Sequence, residues 1–358
     1  MSTTHFDVFV IGFGLAGLSV AKRLEEKNKK VLVIAETGTN ASKVAGGVFN
    51  PVVLKKFNLA WNSQELYENA LPFYLGFQEQ FQEELFSEKS ILRVFKSAKE
   101  QNDWFSALGK PVLDYFLSEE LQSNRNPFLT APHKMGVTKH TALLDTSKLL
   151  TIYKSYLKEK NQFLEEVFNY ADLELTKNKV QYQDYSANHI IFCEGASVKV
   201  NPYFGFLPIQ GNKGEYITFK AKDLQLQEMV KGSFFIIPKG KDIYKFGATY
   251  SRDFLDDSIS KDAKTQLKQK LKQMITCDFE VIDQESGIRP TVPDRKPILG
   301  KHPKHSNLHV CNGFGSRGIL FAPTLSQQLV SAIFSDKEIP KEINVARFYD
   351  DFEAASSL

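Results

Sequence analysis

The stretch FDVFVIGFGLAG, residues 6–17, decides the fold of this 358-residue chain. Its apolar run FDVFVI predicts a strand buried on both faces of a sheet. Gly12 then makes a tight turn, Gly14 lets the backbone approach a pyrophosphate, and Gly17 lets a helix pack closely on the strand. The spacing therefore predicts a dinucleotide site at the N-terminus of a helix.

The residues that follow complete a βαβ unit. Leu15 and Ala16 begin the predicted helix, and VLVIAE, residues 31–36, is a second buried strand. Glu36 ends this strand 19 residues after Gly17, where an acid accepts a hydrogen bond from a ribose hydroxyl. The same fingerprint serves NAD and FAD, so the βαβ unit alone does not decide between them.

Composition excludes several classes of protein. The chain is 42% hydrophobic and 24% charged, as in ordinary globular proteins, and its net charge of +3 demands no nucleic acid or acidic membrane. Three scattered cysteines are too few for a disulfide framework or metal cluster, which fits a reducing cytoplasm. The histidines lack metal-site spacing, and we expect His302 and His305 to be solvated. We expect neither a signal peptide nor a membrane span, and hence a cytoplasmic protein.

The middle of the chain predicts further elements. Residues 61–104 have a helical, aromatic-rich pattern, residues 126–143 are loop-like, and Asp145 is a candidate N-cap for another helix. The sequence HIIFCEG, residues 189–195, predicts a third short strand ending in glycine.

After Val200 the pattern changes. The stretches GEYITF, SFFIIP and IYKFGATY predict an antiparallel sheet, followed by a Lys-rich helix at residues 260–274. HVCNG predicts one more strand before a glycine loop, and Pro323 and Thr324 are start signals for a final amphipathic helix.

Two stretches favour FAD. In ASKVAGGVFNP, residues 41–51, small residues allow the backbone to lie against a planar ring system. In NGFGSRGILFAP, residues 312–323, glycines precede a helix whose N-terminus would stabilise negative charge on a reduced flavin. A nicotinamide enzyme needs no such second glycine loop.

The combination of GFGLAG, ASKVAGGVFNP, GIRPTVPDRKPILG and GFGSRGI, in this order, resembles the D-amino-acid oxidase, glycine oxidase and sarcosine oxidase superfamily of FAD enzymes. The resemblance covers nearly the whole chain. It implies non-covalent FAD, because no cysteine lies in the arginine-proline region. The predicted cofactor-binding residues are Gly12, Gly14, Leu15, Ala16, Gly17, Glu36, Ser42, Lys43, Gly46, Gly47, Val167, Gly195, Gly313, Phe314, Gly315, Ser316, Arg317, Gly318 and Ile319.

The predicted fold class is α/β, with a Rossmann-like FAD-binding domain and a second, α+β substrate domain built on an antiparallel sheet. Rossmann-like pieces at both ends of the chain imply a discontinuous first domain. We expect it to comprise residues 1–75, 140–205 and 280–358. The substrate domain is expected to comprise residues 76–139 and 206–279.

The resemblance also implies an active site. Arg289 matches the arginine that grips the substrate carboxylate, Phe235 and Tyr250 match positions that line the pocket, and Arg317 is an extra cation for a carboxylate or phosphate. Structural alternatives stay open for each of these residues. Arg289 could form a structural ion pair, the two aromatic residues could be ordinary core residues, and Arg317 could pack over the flavin loop. The implied reaction oxidises the C–N bond of a small amino acid or N-substituted glycine by hydride transfer to flavin N5, followed by imine hydrolysis.

A second resemblance gives an alternative function. GFGSRGILFAPTL is similar to the oxidase domain of the bifunctional bacterial enzyme that matures a tRNA wobble uridine, and which removes an acetate arm as glyoxylate. The RNA phosphates would then be contacted by the lysines of one helix face, Lys261, Lys264, Lys268 and Lys272. A helix face that is simply solvated explains these lysines equally well. The motif GIRP and the missing methyltransferase half depart from that enzyme, so oxidation of a free amine is the first hypothesis.

Two other classes stay open. One is a flavoprotein that binds FAD without turnover, and the intact Arg289 argues against it. The other is a dehydrogenase that passes electrons to a membrane quinone, for which the sequence has no evident basic amphipathic anchor. The sequence leaves open the amine, the electron acceptor and the oligomeric state.

Overall fold

The computed structural model of the chain describes residues 4–36, 38, 40–176, 179–252 and 256–356. Packing divides the chain into two compact units. The first unit comprises Met1–Lys43, Thr146–Asn212 and Ile288–Leu358, and the second comprises Val44–Asp145 and Lys213–Gly287.

Strands and helices are interspersed along the chain. The strands are β1 (Thr4–Ile11), β2 (Val31–Ile34), β3 (Val48–Phe49), β4 (Val52–Val53), β5 (Asn58–Leu59), β6 (Phe86–Glu88), β7 (Ile91–Val94), β8 (Met135–Thr138), β9 (Ala142–Leu144), β10 (Phe163–Leu164), β11 (Leu173–Leu175), β12 (Val180–Tyr182), β13 (Tyr185–Phe192), β14 (Gln210–Lys220), β15 (Met229–Lys231), β16 (Phe235–Gly240), β17 (Ile243–Gly247), β18 (Glu280–Thr291), β19 (Ile298–Lys301) and β20 (Leu308–Asn312). The α-helices are α1 (Leu15–Glu26), α2 (Ala41–Val44), α3 (Ser63–Phe81), α4 (Ala98–Leu108), α5 (Leu113–Phe116), α6 (Thr146–Glu159), α7 (Lys261–Lys272), α8 (Gly318–Ser335) and α9 (Tyr349–Ser356).

The first unit is built on a largely parallel sheet. Strand β1 lies between β2 and β13 and runs parallel to both, and β13 is also parallel to β20. Ile11 is paired with Ile34 on one side and Phe192 on the other, so the carboxyl ends of three strands meet at one edge. In such sheets ligands bind at this edge. The α/β, Rossmann-like prediction is confirmed.

Helices α1 and α8 pack on each other beside this sheet. The Arg23 side chain of α1 donates to the Pro323 carbonyl of α8 at 3.3 Å. Helix α8 is long and apolar enough to cross a membrane by length and composition, and 56% of that stretch is buried inside the protein. Its buried apolar residues pack within the first unit.

The second unit contains a seven-stranded sheet in the order β18-β14-β17-β16-β15-β7-β8, as far as the described residues show. The pairs β14–β17, β16–β17, β15–β16 and β7–β8 are antiparallel, whereas β15 and β7 are parallel. One face packs against α7, whose Leu267 and Leu271 are buried with Ile217 and Phe246. The opposite face bears Arg93, Lys231 and Phe235.

Two predictions from the middle of the chain were wrong. Residues 61–104 are not helical throughout, because β6 and β7 separate α3 from α4. Residues 126–143 are not a loop throughout, because they contain β8 and part of β9. These strands are three or four residues long, too short to show a period in sequence, and tertiary pairing forms them.

The start of the last helix was also predicted wrongly. Helix α8 begins at Gly318, so Pro323 lies inside it. The N-cap position belongs to Arg317, and the glycine loop leads directly into the first turn. Proline was misleading because it usually marks the first turn of a helix, whereas Pro323 lies in the second turn and lacks the N–H for an intrahelical hydrogen bond. Residues 319–326 are all buried, so packing holds the helix at this point.

The boundaries of the two units differ from the boundaries of the predicted domains. Residues 44–75, 140–145 and 280–287 were assigned to the first domain and lie in the second unit, whereas residues 206–212 were assigned to the second domain and lie in the first unit. The reason is that the short strands after Val44 pair with β9 and with each other, while β14 and β18 each continue through a boundary.

Two histidines of the first unit, His302 and His309, are buried, although His302 was expected to be solvated. His302 is not solvated: it is 3% exposed, and its Nδ1 accepts from the backbone N–H groups of Lys304 and His305 at 3.1 and 3.2 Å. Burial lowers its pKa to about 4. His309 on β20 is buried beside His189, and burial together with that histidine lowers its pKa to about 3.

The first prediction concerns stability at acid pH. The folded-state pKa of His309 lies below the unfolded value of about 6.5, so the unfolded chain binds more protons between them. Stability from the neutral ring is complete above pH 6.5 and is lost as the pH falls towards 3. In this window the free energy of unfolding of the wild-type chain falls as the pH falls. The variant His309→Asn should show a smaller dependence on pH, by at most about 1.4 kcal/mol per pH unit. An unchanged slope, measured by denaturant titration from pH 7 downwards, would contradict this assignment.

Candidate active site

The glycine turn after β1 is shaped by two close backbone contacts. Gly12 has φ of +94°, and a Cβ there would lie 2.7 Å from the Cys193 carbonyl oxygen. A Cβ on Gly17 would lie 2.0 Å from the Gly12 carbonyl oxygen. The Gly12 N–H donates to the Ile34 carbonyl at 2.9 Å, which fixes the turn to β2. Side chains at Gly12 and Gly17 are therefore excluded.

The N-terminus of α1 has features of an anion site. Its N-cap, Gly14, offers no capping side chain, and its first turn has no acidic residue. Ser42 Oγ accepts from the Leu15 N–H at 3.0 Å, so the loop after β2 is held against the helix start. A Cβ on Gly14 would lie 3.0 Å from the same oxygen. The helix dipole and the small neighbouring side chains suit a phosphate.

Side chains around Ser42 are held by local hydrogen bonds. Asn40 Oδ1 accepts from the backbone N–H groups of Ser42 and Lys43, each at 3.0 Å. Lys43 Nζ donates to the Gly38 carbonyl at 2.7 Å. The predicted residues Ser42 and Lys43 thus lie in the short helix α2, and Ser42 joins it to the α1 N-terminus.

The second glycine loop lies beside the same helix start. Asn312 Nδ2 donates to the Gly195 carbonyl at 2.9 Å, and its Oδ1 accepts from the Gly313 N–H at 2.7 Å. A Cβ on Gly318 would lie 3.4 Å from Leu15 Cδ1. The first turns of α1 and α8 are therefore neighbours. Asn312 was not among the site residues predicted from the sequence, although a polar residue at the end of a buried strand could have indicated it.

The arginine-proline motif is attached to this loop. The Gly315 N–H donates to the Pro290 carbonyl at 2.8 Å. The adjacent Arg289 is half-buried, and its Nη1 donates to Asn212 Oδ1 at 3.3 Å. Arg289 is consequently fixed at the edge of the glycine loop. Burial lowers the pKa of Arg317, as does the positive charge of Arg295.

A half-buried carboxyl group lies behind the turn and was also missed. Glu194 follows β13, and its Cα would be 3.4 Å from a Cβ on Gly12. Tyr170 Oη donates to Glu194 Oε1, and Asn201 Nδ2 donates to Oε2 at 2.7 Å. Burial raises the pKa of Glu194 in spite of these donors.

Four predicted residues belong to the second unit. Gly47 has φ of +78°, and a Cβ there would lie 2.3 Å from the Leu144 carbonyl oxygen, while a Cβ on Gly46 would lie 2.6 Å from Ile237 Cδ1. Phe235 is half-buried on β16. Tyr250 is 64% exposed, and Arg252 Nη2 donates to its hydroxyl at 3.4 Å.

The remaining predicted residues are spread over the first unit. Phe314 and Ile319 are buried, Ser316 and Glu36 are exposed, and Val167 is 69% exposed. Within the described part of the chain, no group of three His, Cys, Asp or Glu side chains is placed to hold a metal ion.

The comparison with known protein families identifies the family of the chain. Residues 7–332 match DAO, the FAD dependent oxidoreductase family. The chain belongs to this family. It is therefore an FAD-dependent oxidoreductase, as the two glycine loops predicted. The residues present fit that cofactor, because glycines leave room for a dinucleotide at two adjacent helix starts that have no acidic first turn.

Individual relatives share the sequence at low identity. Glycine oxidase of Bacillus subtilis (strain 168) is 25% identical, with 95% of each chain covered. The bifunctional protein MnmC of tRNA 5-methylaminomethyl-2-thiouridine biosynthesis from Actinobacillus pleuropneumoniae is 23% identical over 93% of this chain, which spans 56% of that protein. The crystal structure of iminodiacetate oxidase from Chelativorans sp. BNC1 superposes with a TM-score of 0.78 at 18% identity, covering 94% and 98% of the two chains, and shows the same fold.

The second prediction tests the glycine turn. Gly17→Ala should reduce FAD content and thermal stability, because the new methyl group overlaps the Gly12 carbonyl oxygen at 2.0 Å. Gly76→Ala is the matched control: its Cβ meets nothing within 4 Å inside α3. The control should be neutral or stabilised by up to about 1 kcal/mol. Flavin absorbance per protein and melting temperature are the measurements, and equal FAD content in the two variants would be the contrary result.

Proposed function

We propose that this protein oxidises the C–N bond of an amine that bears a carboxylate, either a small amino acid or an N-substituted glycine. The observation that supports this most directly is the attachment of Pro290 to the glycine loop, which fixes Arg289 beside it. A planar guanidinium binds a carboxylate through two hydrogen bonds and stays charged at any working pH. The glycine oxidase relatives make an amino-acid substrate the first choice.

The cofactor assignment follows the two helix starts. We assign the phosphates to the turn of Gly12, Gly14 and Gly17 with Leu15 and Ala16, and the adenosine ribose to Glu36. Val167 and Gly195 are assigned to the adenosine side, and the residues that approach the flavin ring are Ser42, Lys43, Gly46, Gly47 and the loop 313–319. FAD, when bound, supplies the acceptor for two electrons.

The chain's own residues orient the substrate. Arg289 binds the carboxylate and so fixes the direction of the Cα–H bond, a positioning effect. Phe235 supplies apolar bulk without a hydroxyl, and the exposed hydroxyl of Tyr250 is available as a hydrogen-bond donor. Arg317 is a second cation for an anionic group. The amine reacts in its neutral form, so no dedicated strong base is required.

A second candidate function is removal of a glycine-derived arm from a tRNA wobble uridine. The relative named MnmC matches 93% of this chain, although the chain spans little more than half of that protein. Lys261, Lys264, Lys268 and Lys272 of α7 are all exposed, as contacts to RNA phosphates would require.

The third prediction separates these candidates. Under anaerobic conditions the flavin of the holoenzyme should be bleached by glycine, N-methylglycine or another carboxylate-bearing amine. Bleaching only by tRNA bearing carboxymethylaminomethyluridine would favour the second candidate. Oxidised flavin that none of these compounds reduces would instead support a flavoprotein without turnover.

The fourth prediction tests Arg289. Arg289→Ala should raise KM for carboxylate substrates, with a loss of about 2–5 kcal/mol in kcat/KM, or roughly 30-fold to several thousandfold. Arg289→Lys should be intermediate, because lysine keeps the charge without the planar fork. FAD content should not change. Arg125→Ala, at an exposed arginine, is the control. If steady-state kinetics of Arg289→Ala equalled those of the control, the carboxylate assignment would fail.

A further inference from the structure

Glu194 follows β13 directly, and its backbone touches the glycine turn that precedes α1. A Cβ on Gly12 would lie 2.7 Å from the Cys193 carbonyl oxygen and 3.4 Å from the Glu194 Cα. The Cys193 N–H donates to the Ile11 carbonyl at 2.7 Å, which fixes the end of β13 to the end of β1. The carboxyl group of Glu194 is therefore separated from the turn by little more than its own side chain.

The Glu194 carboxyl group is held by two neutral hydrogen-bond donors. Tyr170 Oη donates to Oε1, and Asn201 Nδ2 donates to Oε2 at 2.7 Å. Among the residues that the structure describes, no lysine, arginine or histidine forms an ion pair with this carboxylate. Removing a carboxylate from water without a positive partner favours its neutral, protonated form. The charge of Glu194 is thus sensitive to any further negative charge nearby.

The neighbouring titratable groups keep their protons near neutral pH. Burial, and then the charge of Glu194, raise the pKa of Tyr170 above its ordinary value of 10.0. Burial and the adjacent Cys311 raise the pKa of the Cys193 thiol well above 9.0. Lys199, on the turn after Glu194, is exposed and donates to a backbone carbonyl at 2.9 Å. Burial raises the pKa of Glu194 from 4.5, so its charge changes at a higher pH than that of an ordinary glutamate.

We propose that Glu194 takes up a proton from solvent when FAD binds. The cofactor of the family carries one negative charge on each phosphate of its diphosphate, and we assign these phosphates to the glycine turn. A nearby negative charge favours the protonated carboxyl group; at a separation of roughly 10 Å and an effective dielectric constant of about 20, the equilibrium changes about tenfold. No electrons move, because one proton leaves the buffer and binds to a Glu194 carboxylate oxygen. The inference rests on the proposed position of the phosphates and does not depend on the amine.

The direction of the pH effect follows from linkage. A nearby anion raises the pKa of a carboxyl group, so the complex with FAD binds more protons than the free chain at every pH between the two pKa values. The dissociation constant of FAD should therefore fall as the pH falls through this window, by at most about tenfold per pH unit. Above the window Glu194 is charged in both states, and below it the residue is neutral in both, so it contributes no further pH dependence.

The fifth prediction is that FAD binding is accompanied by the uptake of at most about one proton. FAD is titrated calorimetrically into the full-length chain freed of its cofactor, from about pH 5 to about pH 9, in buffers that differ in ionisation enthalpy. The dependence of the observed heat on the buffer enthalpy gives the number of protons bound. Holoenzyme supplies an independent measurement: the fraction of FAD released on dilution, read from flavin fluorescence, should increase with pH.

Two variants and a control assign the proton to Glu194. Glu194→Gln removes the charge, so proton uptake should disappear and FAD should bind about tenfold more tightly than to the wild-type chain at the alkaline end of the series. Tyr170→Phe removes a donor that stabilises the charged carboxylate, so the uptake should move to higher pH. Glu166→Gln is the matched control, because Glu166 likewise accepts from a tyrosine hydroxyl and a side-chain amide, those of Tyr182 and Gln183, at 2.6 and 2.9 Å. The control should keep the uptake of the wild-type chain.

The outcomes decide the assignment. Proton uptake by the wild-type chain and by the control, but not by Glu194→Gln, supports the inference. No uptake by the wild-type chain across the series, or equal uptake by Glu194→Gln, overturns it. Should Glu194→Gln fail to hold FAD, Tyr170→Phe decides: a window moved to higher pH supports the inference, and an unchanged window overturns it. None of these measurements uses an amine, so a failure of amine oxidation in anaerobic reduction is distinguishable from a failure of the proton uptake.

Discussion

The structure depends on the contact between the third residue of α1 and the turn that precedes the helix. Gly17 packs against the Gly12 carbonyl so closely that no side chain fits between them. This contact sets the distance of α1 from β1 and therefore directs the first N–H groups of the helix at the edge where β1, β2 and β13 end. The same contact leaves the helix start without a side chain of its own, so the binding of an anion there depends on the backbone.

Around this turn, loops that are distant in sequence are joined by single hydrogen bonds. Ser42 Oγ accepts from the Leu15 N–H, and Asn312 Nδ2 donates to the Gly195 carbonyl. The Pro290 carbonyl accepts from the Gly315 N–H. Each bond links a loop to a helix start or a strand end. A substitution in any of these loops is therefore expected to affect cofactor affinity and the position of Arg289 together, which is why FAD content has to accompany every kinetic measurement.

The βαβ unit, the glycine loops and the cofactor could be predicted from sequence, because glycine spacing next to a buried strand has a specific backbone geometry. The site roles of Arg289, Phe235 and Tyr250 remain predictions. The pairing of Arg93 with Lys231 was not predictable, since the two become neighbours only through the parallel pairing of β7 and β15, and each alone resembles an ordinary surface residue. Cys193 and Cys311 are a similar case: they are far apart in sequence, yet β13 and β20 bring the buried thiols into contact. Strands of two to four residues, and the burial of His302, likewise arise from tertiary packing.

The discontinuous first unit has a consequence for synthesis on the ribosome. All segments of the second unit have been made once Gly287 has left the ribosome, whereas the first unit still lacks β19, β20 and α8. Until then β13 has no β20 beside it, α1 has no α8 to pack on, and the second glycine loop does not exist. The nascent chain thus exposes an unfinished parallel sheet until residues 298–335 have emerged. The two glycine loops come together only after residues 312–318 have left the ribosome, and a translation pause before that point would prolong the exposure of the sheet.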